Sequence, residues 1–254
     1  MRAITAELSK LLSLLSVWVA LAIGLIVPTA IVAINSVSTR KAIALGDHTA
    51  VGIDMGYQEL AFGVIGAIII GVIAVSSEYF TESGESGGGR QITTSLIARP
   101  SRLRFLLAKA TAVAMVSAVL ASASAVATMA EIRIFLGEHA PELGSADVPR
   151  LAGIVCYWVL SALLAFGITV LTRHGIVPLA ILIVNTSVVT VTYLLTRITS
   201  LAYYFPDMAG IRMFIRNLDD STVEMAPLVG GLVMTAWVAA LLTIAAIVFC
   251  RRDA

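Results

Sequence analysis

Apolar residues fall into six long runs separated by polar segments: residues 17–34, 58–77, 105–130, 151–171, 175–196 and 227–249. The hydrocarbon core of a bilayer is roughly 30 Å thick and a helix rises about 1.5 Å per residue, so about 20 mostly apolar residues cross it. The pattern predicts an all-α membrane protein with six transmembrane helices in a single domain. The second run is the weakest, with Glu59 near its outer end and Ser76-Ser77 at the other. The third is long, and its first turns, with Lys109, are expected at the interface. A different pattern precedes the first run. Over residues 1–16, Ile4, Leu8, Leu11, Leu12 and Leu15 recur at helical spacing, with Arg2, Glu7, Ser9, Lys10 and Ser13 between them. That is an amphipathic helix lying in the inner interface. The first run exceeds the 7–15 residues of a signal-peptide core, so it reads as an uncleaved span.

Composition strengthens the membrane reading. Hydrophobic residues make up 59% of the chain and charged residues 13%, and the mean hydropathy is +0.96. Soluble domains carry roughly 25% charged residues, and a sphere with so few would expose large apolar patches. The net charge of +1 supplies no basic face for nucleic acid. With the N-terminus inside, cytoplasmic segments hold 10 Lys and Arg and external segments hold 7, among them Arg40, Lys41, Arg150 and Arg216. The excess, with both termini cytoplasmic, agrees with the positive-inside rule. The cysteines Cys156 and Cys250 fall on opposite sides and are expected unpaired.

Chemistry is sparse along the spans. Glu59 and Glu131 are expected near external ends, within reach of water. The polar mid-span cluster is Asn185-Thr186-Ser187 with Thr190 and Thr192 in the fifth span. These side chains either line a substrate path or hydrogen-bond between helices. Ala110, Ala114, Ala118 and Ser122 form one small-residue row in the third span, and Ser117, Ala121 and Ala125 a second, which suits close helix packing. Pro28 and Pro178 permit kinks. The three histidines are far apart, and no Gly-x-Ser-x-Gly occurs. Residues 84–90 are glycine-rich but lack the Gly-Lys-Ser/Thr ending of a P-loop, and read as a tether. The chain is therefore not expected to be an enzyme or to hydrolyse ATP itself.

The loop after the second span, residues 78–104, is more informative. Residues 91–98 are long enough for about two helical turns, with Ile92 and Leu96 on one side, and Pro100 ends them. A short helix with a small apolar side suits docking into a groove on a cytoplasmic partner. Glu78-Tyr79, Gly89-Arg90, Thr93-Thr94-Ser95-Leu96, Pro100-Ser101-Arg102 and Ala108-Lys109 follow one another here. In that order they resemble the membrane subunits of type-2 ABC exporters, the ABC transporter permease family. Trp237, Phe249 and Arg251-Arg252-Asp253 at the end, and Phe205-Pro206-Asp207 before the last span, are similar to that family too. The tether over residues 82–88 is longer than the simplest family pattern.

The resemblance implies a bacterial plasma-membrane permease working as a pair, identical or related, with separate ATPase subunits that bind ATP and Mg. It implies no cofactor in this chain. It assigns the cytoplasmic coupling helix, and with it Glu78, Tyr79, Arg90, Gln91, Ile92, Thr93, Thr94, Leu96, Pro100 and Arg102, to contact with the ATPase. Glu78 is expected to pair with Arg90, Arg99 or Arg102. Asn185, Thr186 and Thr190 would line the substrate path. Short external helices would precede the last span, with Tyr203, Tyr204 and Phe205 as an exit gate or an interfacial belt. The cargo would be hydrophobic or amphipathic: a drug, antibiotic, peptide or lipid. The rival readings are a secondary transporter, a membrane adaptor or immunity protein without ATPase coupling, and an intramembrane enzyme.

Overall fold

Five of the six apolar runs fold into single long helices, and these helices outlast their runs. The structure is a computed structural model that describes residues 2–47, 49–79, 101–186, 191–217 and 225–251. Its α-helices are α1 (Arg2–Ser13), α2 (Leu15–Ala44), α3 (Tyr57–Tyr79), α4 (Arg102–Leu136), α5 (Val148–Thr172), α6 (Ile176–Thr186), α7 (Val191–Thr196), α8 (Pro206–Ile211) and α9 (Pro227–Arg251). Single 3-10 turns lie at Gly137–His139, Ser145–Asp147 and Ser200–Tyr204. No strand occurs among the described residues.

Among the described residues, five helices are long and apolar enough to cross a membrane: α2, α3, α4, α5 and α9. The chain is thus built as a multi-pass membrane protein. The run 175–196, expected as one span, is described as the two pieces α6 and α7, and residues 187–190 between them lie outside the described residues. The 11 residues of α6 rise only about 16 Å, half the hydrocarbon core.

The first span was expected to end at residue 34, but α2 continues to Ala44 and carries Arg40 and Lys41 on its last turns. Hydropathy stops at Asn35, whereas Arg, Lys and Ala remain good helix formers. The helix ends where Gly46 takes a positive φ of 96°. There the Gly46 N–H donates to the Ile43 carbonyl and the Asp47 N–H to the Ala42 carbonyl, the paired bonds of a Schellman cap. Likewise α4 runs to Leu136 and stops at Gly137, whose φ is 55°. The 30 residues of α2 span about 45 Å and the 35 of α4 about 52 Å, so both exceed the hydrocarbon core.

The central helix is α3, which packs on α2, α4, α5 and α6. Glycines set how close it comes. A Cβ on Gly66 would lie 2.5 Å from the Ala20 carbonyl oxygen of α2, and one on Gly71 2.2 Å from the Ala162 carbonyl oxygen of α5. Both contacts are with backbone, which cannot swing aside, so only glycine permits these crossings. Leu60, Val64, Ala67 and Ile70 of α3 are fully buried with Trp158 and Phe166 of α5. The Trp158 indole N–H donates to the Leu60 carbonyl at 3.1 Å, which satisfies its polar atom. In the third span, Ser117, Ala121 and Ala125 are the buried small-residue row, while Ser122 of the other row is exposed.

Pro28 sits inside α2 and has no N–H to give to Gly24 four residues earlier. The Ser124 hydroxyl of α4 donates to that Gly24 carbonyl at 3.0 Å instead. Within a bilayer a freed carbonyl needs such a partner, because no water reaches it. The outward faces of α2 and α9 carry exposed Trp18, Ile26, Ile34, Leu228, Leu232 and Trp237, which suits contact with lipid rather than water.

Candidate functional site

Two helices flank the loop 80–100, and their feet meet in a buried charge cluster. Glu78 stands one residue before the end of α3, and Lys109 lies two turns into α4. The Lys109 ammonium donates to the Glu78 carboxylate at 2.9 Å. It also stands 2.9 Å from the Glu7 carboxylate of α1, an ionic contact without the angle of a hydrogen bond. Lys10 of α1 adds a short hydrogen bond to Glu78. Glu78 is 2% exposed and Lys109 3%. Such burial demands pairing: an unpaired charge removed from water costs several kcal/mol, on the order of 3–5 when one partner is deleted.

Three further contacts gather around these feet. Phe105 of α4 stacks on Phe249 of α9 with ring centres 6.4 Å apart. The Arg102 guanidinium donates to the Phe249 carbonyl at 3.5 Å. The Arg173 guanidinium lies 5.8 Å from the centre of the Tyr79 ring. Arg173 caps α5 in the left-handed region, at a φ of 55°, so the tight α5–α6 turn is held against the end of α3. One end of the bundle therefore joins α1, α3, α4, α5 and α9.

Several expectations change. Among the described residues Glu78 pairs with Lys10 and Lys109, because α1 packs against α4 and brings Glu7 and Lys10 to the feet of α3 and α4; Arg90 and Arg99, two of its expected partners, lie outside the described residues. Lys109 is buried against its partners near the start of α4. The amphipathic pattern of α1 put its charges opposite its leucines, yet Glu7 is buried beside Leu11 while Leu12 and Leu15 are exposed. Arg90, Gln91, Ile92, Thr93, Thr94, Leu96, Arg99 and Pro100 lie outside the described residues, as does Thr190. Asn185 and Thr186 lie at the end of α6.

A second polar cluster occupies the opposite end. The Asp54 carboxylate, 2% exposed, accepts a short hydrogen bond from Arg150, one at 2.6 Å from the Asn217 N–H, and others at 3.1 Å from the Arg216 N–H. The Arg150 guanidinium also donates to the Phe214 carbonyl at 2.9 Å and the Ile53 carbonyl at 3.2 Å, and lies 3.5 Å from the centre of the Tyr57 ring. The Tyr57 hydroxyl donates to Asp147 at 3.1 Å. These bonds close the α2–α3, α4–α5 and α8–α9 connections over the bundle. Neither Asp54 nor Arg150 was singled out by sequence; a lone aspartate beside Gly52 and Gly56 was the available sign.

Glu59, expected within reach of water, is buried. It accepts from the Gly56 N–H at 2.7 Å, capping α3 as the third helical residue, and from the Asn35 amide at 2.8 Å. It borders a polar cavity of about 290 Å³ shared with Ser38, Asp54 and Gln58. Tyr203 is buried and Tyr204 and Phe205 are exposed. Phe205 packs edge-on against Trp237 of α9, whose indole N–H donates to the Tyr204 carbonyl at 2.9 Å. Burial lowers the Arg212 guanidinium from its ordinary pKa, opposed by the nearby Tyr203. Cys156 and Cys250 are free and exposed.

Among the described residues no three metal-ligating side chains meet. The bonds of both clusters run between helices and their connections. No protein-family model matches the chain, and no curated protein matches it, so its own residues carry the functional reading.

Proposed function

We propose that this chain is the membrane subunit of an ATP-driven exporter of the type-2 ABC class, moving a hydrophobic or amphipathic substrate outward with ATP hydrolysed by a separate subunit. The observation that carries the reading is the buried cluster of Glu7, Lys10, Glu78 and Lys109. It binds α1 to both feet of the loop whose residues resemble the coupling segment of that family. A push on residues 91–98 from a cytoplasmic ATPase reaches Glu78 and Lys109 first. Their ion pair passes it to α3 and α4 together. The close glycine crossings of α3 with α2 and α5 then make the central helices move as a block. In this reading residues 175–196 form the fifth of six crossings, and both termini are cytoplasmic.

The test is purification of the tagged full chain from its native membrane in mild detergent, with mass spectrometry of what accompanies it. A stoichiometric P-loop ATPase is the expected companion, and a second permease in the same complex would identify a mixed pair. A chain that emerges alone or only with itself, and is indifferent to ATP, contradicts the reading and favours an adaptor or secondary transporter.

A further inference from the structure

An apolar cavity of about 590 Å³ opens sideways between α4 and α5. Its walls include Ser122, Ala125, Val126 and Met129 of α4 and Leu151 and Ala152 of α5, and Arg133 stands at its end. Small side chains make the groove: Ser122, Ala130 and Ala152 are exposed where larger residues would have filled the space. Its volume is that of a ligand site, and its lining is apolar with one charged group, as such sites usually are.

The depth of the groove is informative. Ser122 and Arg133 are 11 residues apart on one helix, a rise of about 16 Å, which is half of the roughly 30 Å hydrocarbon core. The groove therefore has the length of one leaflet, with its cation at the end of α4. Arg133 is exposed and has no ion pair among the described residues; Glu142 lines the adjoining small cleft with it but does not reach it. The geometry points to a retained membrane phospholipid, one acyl chain lying in the groove and the phosphate of an anionic headgroup held by Arg133. An acyl chain fits the apolar walls, and a guanidinium binds phosphate through charge-assisted, bidentate hydrogen bonds.

The test uses the full chain in detergent, titrated with phosphatidylglycerol or phosphatidylcholine and read by native mass spectrometry. The expected result is one tightly held phosphatidylglycerol per chain. Arg133→Gln should weaken it by about tenfold, the scale of one lost charged hydrogen bond, while Arg133→Lys, which keeps the charge and loses the bidentate fork, should bind between the two. Ala152→Leu, at an exposed position of the groove wall, should weaken both lipids alike. Unchanged phosphatidylglycerol binding in Arg133→Gln, or in Ala152→Leu, would overturn the assignment. So would efficient disulfide cross-linking between two copies carrying Ser122→Cys in a Cys156→Ala, Cys250→Ala background, since a second copy of the chain would then cover the groove.

Discussion

The two polar clusters stand at opposite ends of the same helices and hold different things. At the end of α3 and the start of α4, four side chains from three helices pair with one another, and the bonds run from helix to helix. At the far end, Asp54 and Arg150 spend most of their bonds on backbone groups of the connections, at Ile53, Phe214, Arg216 and Asn217. The first arrangement ties rigid rods together at the place where a loop enters and leaves. The second seals turns over the bundle. Moving a loop foot therefore moves helices at one end, whereas loosening the other end frees loops and leaves the helices packed.

The strongest way to break this contrast is Lys109→Met, which removes the cation that Glu7 and Glu78 share. A loss of about 3–5 kcal/mol is expected, seen as a lower thermal midpoint of the full chain in detergent. The double variant Lys109→Met, Glu78→Gln should lose less than the sum of the two single variants, because both changes remove one interaction. At the far end, Asp54→Ala should cost about 2–3 kcal/mol, the scale of a lost hydrogen bond to a charged group. Its signature is hydrogen exchange: the amides of Arg216 and Asn217 should exchange faster while those around Glu78 stay protected. Equal deprotection at both ends would dissolve the distinction between them.

Gly71→Ala probes the packed middle that connects the ends. Its Cβ meets the Ala162 backbone, so overpacking of about 1–3 kcal/mol is expected, with both ends becoming more exchangeable. Ser124→Ala should have the smallest effect, about 0.6–1 kcal/mol. It removes the donor that replaces the missing Pro28 N–H, and a thermal midpoint lowered by more than Gly71→Ala would contradict this ranking.

The five spanning helices were legible in the sequence because apolar runs of membrane length leave few alternatives. The ends beyond the apolar runs were less so: Arg40 and Lys41 read as a loop by hydropathy although they favour helix. The clusters were harder. Glu78 was visible through its place before the loop, but its partners Lys10 and Lys109 are 68 and 31 residues away, and pairing at that separation depends on how α1 folds back. Burial of Glu7 ran against the amphipathic pattern, since the polar face expected to meet water met protein charge instead. Asp54 and Arg150 carried no motif at all; their roles arise only when three connections converge.

The most direct measurement places a photo-crosslinking label on a cysteine introduced at Ser95, in a Cys156→Ala, Cys250→Ala background, in the native membrane. Adducts are then identified by mass spectrometry. ATPase coupling through the loop predicts a cross-link to a P-loop ATPase that strengthens or weakens with ATP. Adducts with lipid alone, unchanged by ATP, would contradict it.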